Sequence, residues 1–151
     1  MSSLESVGKI GVIGSGSMGQ ALISGWADSG AGIVAVVRDV EKYRHLEDSY
    51  GIEVTDDPKS LETCDVVVVA IKPQVIKEIL QDFQPYISPD TIVISVAVGI
   101  TTEFFANAFP QTKEIVKAMP NTPSQVHMGV TCVSGAWRCA DSSVDIAVEL
   151  L

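Results

Sequence analysis

The sequence predicts an α/β fold with a doubly wound, mostly parallel sheet. Short apolar runs alternate with segments of helical periodicity along the 151 residues, and the runs at 66–71 and 92–98 are almost entirely apolar. Continuous apolar strands are typical of parallel sheets that are covered on both faces. The chain contains no linker, internal repeat or low-complexity segment. We therefore expect residues 1–151 to form one domain.

The first strand, predicted at 7–13, ends in Gly-Ser-Gly-Ser-Met-Gly, and a helix is predicted directly afterwards at 17–29. In this order Gly14 permits a tight turn, Gly16 leaves room for a pyrophosphate, and Gly19 lets the helix lie close to the strand. The free N–H groups of the first helical turn then face the phosphates. Such a glycine pattern is a weak signal alone, because glycine pairs are common at turns. Its position between a strand and an amphipathic helix indicates a dinucleotide site of the Rossmann type.

The residues that distinguish NADP from NAD are expected after the second strand, predicted at 33–37. An acidic side chain about 20 residues past the glycines binds the ribose 2′-hydroxyl in NAD sites, whereas an arginine meets the 2′-phosphate in NADP sites. The sequence offers Arg38 and then Asp39. Counting alone does not decide, and we favour Arg38 because it directly follows the strand. The alternative is that Arg38 is a solvated charge and Asp39 caps the helix predicted at 40–50.

Further strands are predicted at 51–54, 65–71, 91–98, 114–119 and 129–134, and further helices at 74–83, 101–108 and 141–151. In a doubly wound sheet, ligands bind in the crevice beyond the carboxyl ends of the strands. Turn-forming or polar clusters follow the strands at 14–19, 38–39, 70–74, 97–99 and 119–123. We therefore expect five loops to converge on one crevice.

Composition excludes several other classes of function. The net charge of −9 argues against nucleic-acid and membrane partners. The apolar runs are too short to span a bilayer and residues 1–9 lack the features of a signal peptide, which predicts a cytoplasmic protein. Cys64, Cys132 and Cys139 show no metal-ligand spacing, so we expect reduced thiols with packing roles and no metal site.

Four motifs, in order, resemble those of the pyrroline-5-carboxylate reductases. The family pattern is Ile-Gly-x-Ile-Gly-x-Gly-x-Met-Gly, Ala-Val-Lys-Pro, Ser-x-Ala-Ala-Gly and Met-Pro-Asn-Thr-Pro. Its counterparts here lie at 10–19, 70–73, 95–99 and 119–123. One departure is Val98, where the family usually has alanine. The resemblance extends over 7–151, which corresponds to the first domain of such an enzyme.

The resemblance implies an NADPH-dependent oxidoreductase that converts 1-pyrroline-5-carboxylate, a small-molecule substrate, to proline, with NAD as a possible second cofactor. It implies further cofactor contacts at Ser17, Met18, Ala70, Lys72, Pro73, Ala97 and Asn121. The first two would hold the pyrophosphate, the next three would line the adenosine and ribose side, and the last two would flank the nicotinamide.

Each of these assignments has a simpler alternative. Ala70 and Ala97 are also the small residues that let helices approach a strand, and Lys72 also fits a solvated position. Asn121, between two prolines, also fits a turn. No catalytic residue is predicted, because the sequence shows neither a Ser/His/Asp set nor paired carboxylates.

Reductases of this family carry a C-terminal helical domain that dimerises and contributes to the substrate site. The sequence ends at Leu151 within a predicted helix that has no glycine, basic residue or cap. We expect this chain to be the cofactor domain of a homo-oligomeric enzyme, with the C-terminal helical dimerisation domain absent, and to be inactive alone. The alternatives are a related NADP-dependent reductase or β-hydroxyacid-type dehydrogenase, and a nucleotide-sensing module without catalysis.

Overall fold

The computed structural model describes residues 8–14, 16–27, 32–97, 100–112, 114–119 and 132–135. Within these residues, seven strands form one sheet. The strands are β1 Lys9–Ile13, β2 Gly32–Val36, β3 Glu53–Thr55, β4 Val66–Val69, β5 Ile92–Ser95, β6 Ile115–Met119 and β7 Cys132–Gly135. Their order across the sheet is β3-β2-β1-β4-β5-β6-β7.

The sheet is parallel from β3 to β6, and β7 pairs with β6 in the antiparallel direction. The predicted α/β class and mostly parallel sheet are confirmed. The chain first moves from β1 outward to β3 and then returns to place β4 on the other side of β1. This reversal makes the carboxyl ends of β1 and β4 the switch point of the sheet, where such folds bind their ligands.

The helices of the described residues are α1 Ser17–Trp26, α2 Val40–Tyr43, α3 His45–Tyr50, α4 Pro73–Phe83 and α5 Thr102–Ala108. Two 3₁₀ helices, Pro58–Thr63 and Gln84–Tyr86, complete the set. No helix in this part of the chain is both long and apolar enough to cross a membrane. The helix predicted at 141–151 lies outside the described residues.

The prediction of a single helix over 40–50 was wrong, because the segment is divided at Arg44. The N–H of Glu47 donates to the carbonyl of Arg44, three residues earlier, at 3.0 Å. The Arg44 guanidinium also pairs with Glu41 and Glu47, each three residues away. The backbone bond between Glu47 and Arg44 has the spacing of a 3₁₀ turn, which interrupts the α-helix, whereas ion pairs three residues apart also occur within α-helices.

Helices cover both faces of the sheet, which confirms the doubly wound arrangement. Successive residues of each central strand point to opposite faces, so Val66 and Val68 belong to one core cluster and Val67 and Val69 to the other. The first cluster includes buried side chains of α1 and α3, namely Leu22, Ile23, Trp26 and Leu46. The second includes those of α4 and α5, namely Ile76, Leu80, Phe83 and Phe105.

The packing role predicted for Cys64 is confirmed. Its side chain is 4% exposed and belongs to the second core cluster. Burial raises the pKa of the thiol to about 11, since the thiolate loses its hydration there. Of Cys132 the structure describes the backbone alone, and Cys139 lies outside the described residues.

Candidate functional site

The turn that follows β1 requires glycine at position 14. The φ angle of Gly14 is +88°, in the left-handed region, and a Cβ there would lie 2.9 Å from the carbonyl oxygen of Ala70. The N–H of Gly14 donates to the carbonyl of Val36 at 3.0 Å, which joins the turn to the end of β2. The tight turn predicted at Gly14 is confirmed.

The other two glycines of the motif differ in what surrounds them. A Cβ on Gly19 would lie 2.8 Å from the carbonyl oxygen of Gly14, so glycine lets α1 begin this close to the turn, as predicted. A Cβ on Gly16 would meet no described atom within 4 Å. The fold therefore needs glycine at 14 and 19, whereas Gly16 faces open space of the kind that a pyrophosphate requires.

The N-terminus of α1 is open to an anion. Gly16 is the N-cap residue and supplies no side chain to cap the helix, and the first helical hydrogen bond runs from the N–H of Gln20 to the carbonyl of Gly16 at 2.9 Å. Ser17 and Met18 occupy the first turn, where the structure describes their backbone only, and this turn contains no acidic residue. Free N–H groups and the helix dipole favour negative charge at such a terminus.

Arg38 and Asp39 follow β2, and both are exposed. The carboxylate of Asp39 accepts a hydrogen bond from the N–H of Lys42 at 3.2 Å and caps α2. The capping role that the sequence left open is thus confirmed for Asp39. Among the residues that the structure describes, the Arg38 guanidinium makes no ion pair. The Arg38 guanidinium is therefore available to bind a ligand.

The loop after β4 lies beside the glycine turn. The N–H of Ala70 donates to the carbonyl of Ile13 at 2.9 Å, which holds this loop against the end of β1. Lys72 is exposed and precedes α4 as its N-cap residue, without a side-chain cap. Pro73 is the first residue of α4, and the structure describes its backbone only. Ala70 therefore lies beside the glycine turn, with Lys72 two residues further on, and the cofactor contacts of both remain predictions that rest on the resemblance.

These three loops enclose a cleft of about 590 Å³ at the carboxyl ends of β1, β2 and β4. This volume is in the range of small-molecule sites. One wall is apolar and comes from Val75, Ile79 and Phe83 of α4. We did not predict this wall from the sequence, although apolar side chains spaced four residues apart indicate one face of a helix.

The opposite wall contains Lys42 and Tyr43 of α2, which the sequence analysis also missed. With them the cleft is lined by three cations and three carboxylates, namely Arg38, Lys42, Lys72, Asp39, Asp56 and Asp82. The whole chain carries a net charge of −9. The formal charges of the cleft thus balance, so an anionic ligand meets less repulsion there than on the chain as a whole.

The two residues predicted to flank the nicotinamide, Ala97 and Asn121, are not among the described residues that line this cleft. Ala97 is 4% exposed, packs in the second core cluster and donates its N–H to the Ser95 hydroxyl at 3.2 Å. It is not among the described residues that line the cleft. Asn121 lies outside the described residues. The nicotinamide contacts of both residues remain predictions that rest on the resemblance.

The described residues contain no group of three or more His, Cys, Asp or Glu side chains arranged to hold a metal ion. Among the described residues that line the cleft there is no Ser, Thr, Cys or His side chain. What this part of the chain offers a ligand is backbone N–H groups, an apolar wall and exposed cations, which are groups that bind and orient it.

Residues 9–99 match the family described as NADP oxidoreductase, coenzyme F420-dependent. The matched segment contains the glycine turn, the loop after β2 and the loop after β4, which are the three loops around the cleft. The chain belongs to this family. The match covers well over half of the 151 residues.

The relatives of this chain include pyrroline-5-carboxylate reductases. The enzyme of Escherichia coli strain K12 is 32% identical over 131 residues, covering 83% of this chain and 49% of the relative. The solved structure from Coxiella burnetii has a TM-score of 0.85 at 29% identity, covering 95% of this chain and 55% of that one. The Plasmodium falciparum structure with NADP bound shares the fold, with a TM-score of 0.70 at 21% identity, covering 94% and 54%. The chain spans about half the length of the curated relatives that it matches.

Proposed function

We propose that this chain forms the NADP(H)-binding part of a 1-pyrroline-5-carboxylate reductase, an oxidoreductase that makes proline. The observation that carries the proposal is the position of Gly16, exposed at the uncapped start of α1 and lining the cleft, with no described atom within 4 Å of a Cβ placed there. The similarity to the Escherichia coli reductase supports the choice of reaction.

The cleft fits the separate parts of NADP. The backbone N–H groups of Ser17 and Met18, beside Gly16, suit the pyrophosphate, because they begin a helix whose N-cap has no side chain. The Arg38 guanidinium suits the 2′-phosphate, since it is exposed and makes no ion pair with described residues. NAD lacks that phosphate and would leave Arg38 without a partner, so we propose NADP(H) as the preferred cofactor and NAD(H) as a weaker ligand.

The remaining contacts concern the sugar and the base. Ala70 and Lys72 line the cleft beside Gly14 and suit the ribose side, and Pro73 follows them at the start of α4. The apolar side chains of α4 suit the adenine ring, which gains by leaving water. The Plasmodium falciparum relative is described with NADP bound, which agrees with this assignment.

Bound NADPH supplies the hydride for the C=N carbon of the cyclic imine. In this proposal the chain positions the cofactor and shields one side of it. Ala97 and Asn121 would flank the nicotinamide, and Asn121 would fix its carboxamide and so select the face from which hydride leaves. Positioning of this kind can account for several kcal/mol of the barrier.

The proposal also covers the domain organisation, cellular location, partners and oligomeric state of the enzyme. Residues 1–151 act as one dinucleotide-binding domain, in the cytoplasm, with a small-molecule substrate and no nucleic-acid or membrane partner. The intact enzyme is a homo-oligomer. The family resemblance and the negative net charge support these points.

Two measurements test the proposal. Calorimetric titration of the chain with NADPH is expected to show one site per chain with a dissociation constant in the micromolar range. The full-length gene that contains this sequence is expected to restore growth without proline to a strain that lacks pyrroline-5-carboxylate reductase, whereas residues 1–151 alone are expected to bind NADPH without doing so. Binding without complementation by the full-length gene, and without NADPH oxidation by its product in the presence of pyrroline-5-carboxylate, would contradict the reaction and favour a nucleotide sensor. Absence of NADPH binding would contradict the cofactor assignment itself.

A further inference from the structure

Strand β5 ends in a buried serine. Ser95 is fully buried and follows Ile92, Val93 and Ile94, which are buried as well. Burying a hydroxyl costs free energy unless it is hydrogen-bonded, and an apolar side chain would fill the same space without that cost. The hydroxyl oxygen of Ser95 accepts a hydrogen bond from the N–H of Ala97 at 3.2 Å. The polar side chain therefore acts on the backbone immediately beyond the strand.

The N–H of Ala97 is the group that would continue the pairing of β5 with β6. In a parallel pair every second residue donates to the same neighbouring strand, and the N–H of Val93 donates to the carbonyl of Glu114 at 2.7 Å. Continued at the observed register, this alternation brings the N–H of Ala97 to the carbonyl of Ala118. It donates to the Ser95 hydroxyl instead. The serine thus takes a bond that would otherwise join the two strands.

The two strands separate at this point. The last pairing of β5 with β6 is between Ser95 and Lys117, whereas β6 remains a strand as far as Met119, where it pairs with β7. On its other side β5 stays attached to β4, because the N–H of Val96 donates to the carbonyl of Val69 at 3.2 Å. A gap therefore opens between the carboxyl ends of β5 and β6, and the bond from Ala97 to Ser95 maintains it.

This gap lies on the far side of the switch point from the described cleft. The cleft is at the carboxyl ends of β1, β2 and β4, and the sheet continues from β4 to β5 and β6. Doubly wound sheets bind a dinucleotide across the switch point, with one half on each side. Since the proposed function places the adenosine half in the cleft, the other half extends over β4 toward the ends of β5 and β6.

We propose that Ser95 is a positioning residue for the nicotinamide half of the dinucleotide. By accepting the N–H of Ala97, its hydroxyl keeps β5 apart from β6 and fixes the turn of the backbone that this half of the ligand meets. Ser95 is buried, so it acts through that backbone and does not touch the ligand. This inference rests on the proposed function, since it assumes a dinucleotide whose adenosine half lies in the cleft.

The test compares a whole dinucleotide with its adenosine half. Wild type and Ser95→Ala are titrated with NADPH and with adenosine 2′,5′-bisphosphate. Without an acceptor at position 95, the N–H of Ala97 is free to pair with Ala118 and close the gap. We expect NADPH to bind about three- to tenfold more weakly, the equivalent of one hydrogen bond, and the bisphosphate to bind as it does to wild type. The fluorescence of bound NADPH, which reports the surroundings of its reduced nicotinamide, should shift toward that of NADPH in water.

Two further substitutions separate the hydroxyl from the volume of the side chain. Ser95→Thr keeps a hydroxyl acceptor and is expected to retain the NADPH affinity of wild type. Ser95→Cys keeps nearly the same volume but offers only a weak acceptor, so we expect it to bind both ligands as Ser95→Ala does. Circular dichroism and urea unfolding verify that each variant is folded.

Thr91→Val is the matched control. Thr91 directly precedes β5, is also buried, and donates its hydroxyl to the carbonyl of Cys64 at 3.1 Å. The substitution removes a buried hydroxyl at the other end of the same strand and leaves the bond from Ala97 to Ser95 in place. We expect its affinities for both ligands to equal those of wild type.

Four outcomes would overturn the inference. Equal weakening of both ligands in a folded Ser95→Ala protein would show that the hydroxyl only supports the fold. An unchanged NADPH affinity would show that the gap does not depend on Ser95 or does not meet the ligand. The same loss of NADPH affinity in Thr91→Val would make it a general effect of a lost buried hydroxyl. A wild-type chain that binds neither ligand would overturn the proposed function as well, and that result is distinguishable because it precedes any substitution.

Discussion

Backbone hydrogen bonds join neighbouring strands at both ends of the parallel sheet, but the two ends differ in what their side chains add. At the amino end, polar side chains connect neighbouring strands. The N–H of Lys9 donates to the Asp65 carboxylate at 3.0 Å, and the buried Thr91 hydroxyl donates to the Cys64 carbonyl at 3.1 Å. The buried Thr112 hydroxyl donates to the carbonyl of Thr91 at 2.9 Å. The side chains at this end are thus used within the protein.

At the carboxyl end, the corresponding connections run between backbone groups. They are the bonds from Gly14 to Val36, from Ala70 to Ile13, from Val37 to Thr55 and from Val96 to Val69. The charged side chains there line the cleft, and Arg38 makes no ion pair among described residues. The comparison teaches that the amino end adds side-chain hydrogen bonds between strands to its backbone bonds. At the carboxyl end the described bonds between strands are those of the backbone, and cleft-lining cations such as Arg38 stay available to a ligand.

The largest effect is expected at Gly14, whose backbone forms the turn at the carboxyl end of β1. Gly14→Val places a β-branched residue at a φ of +88° and a Cβ 2.9 Å from the Ala70 carbonyl oxygen. We expect a loss of about 2–4 kcal/mol in the free energy of unfolding, together with loss of NADPH binding. Urea unfolding, monitored by circular dichroism, measures the loss in the free energy of unfolding. A variant as stable as wild type would show that this turn relaxes without cost.

Removing the guanidinium at the carboxyl end is expected to affect binding without affecting stability. Arg38→Ala should reduce the preference for NADPH over NADH by about ten- to a hundredfold, since a hydrogen bond to a charged group contributes about 1.5–3 kcal/mol. The free energy of unfolding should stay unchanged, because Arg38 is exposed. Calorimetry with both cofactors measures the preference. If the preference persists, Arg38 lies outside the phosphate site, and Asp39 becomes the candidate ribose contact.

At the amino end, the buried thiol predicts a pH dependence of stability. Burial raises the pKa of Cys64 to about 11, above the ordinary thiol value. Because the folded-state value is the higher one, the stability that the neutral thiol contributes is complete below about pH 8.5 and is lost as the pH rises toward 11. Near pH 10 we expect a loss of about 1–2 kcal/mol.

Cys64→Ala isolates this contribution from those of other groups that titrate in the same range. Its free energy of unfolding is lower than that of wild type at pH 8, because a buried side chain is shortened, but it should decline less between pH 8 and pH 10. Denaturant unfolding at both pH values measures the difference. Parallel pH profiles of the two proteins would contradict the assignment of the decline to Cys64.

The smallest effect concerns one hydrogen bond at the amino end. Thr91→Val keeps the shape of a side chain that is 1% exposed but removes its bond to the Cys64 carbonyl. We expect a loss of about 1 kcal/mol in the free energy of unfolding and no change in NADPH affinity. A weakened affinity in a folded Thr91→Val protein would show that the two ends of the sheet are coupled.

The strands and the glycine turn were predictable because their signals are local. Uninterrupted apolar runs such as Val66–Val69 indicate strands buried on both faces, and Gly14 and Gly19 follow a strand at a spacing with a steric meaning. The break at Arg44 was not predictable from apolar periodicity, because it lies in the backbone hydrogen bond between Glu47 and Arg44, which the spacing of apolar residues does not report.

The candidate site was predictable only in part, because a sequence locates the end of a strand but not the direction of the side chains beyond it. Arg38 was found by its position after β2 and Lys72 by the family resemblance, and both line the cleft. Ala97 was also placed by the resemblance, yet it packs in the second core cluster. Lys42 and Tyr43 reach the cleft through the orientation of α2, which follows from how that helix packs on the sheet.

The most direct test of the account compares two glycines, one at each end of the sheet, that both have room for a side chain. A Cβ on Gly16 meets no described atom within 4 Å, and a Cβ on Gly32, at the amino end, would have the Lys9 side chain as its nearest described neighbour, at 3.9 Å. Gly16→Val and Gly32→Val are each titrated with NADPH and unfolded with urea beside wild type.

The account predicts that both variants stay folded. It also predicts that Gly32→Val binds NADPH as wild type does, and that Gly16→Val binds it at least about a hundredfold more weakly, because its side chain occupies the space of the pyrophosphate. Wild-type NADPH affinity in a folded Gly16→Val protein would contradict the claim that the carboxyl end of the sheet is the cofactor site.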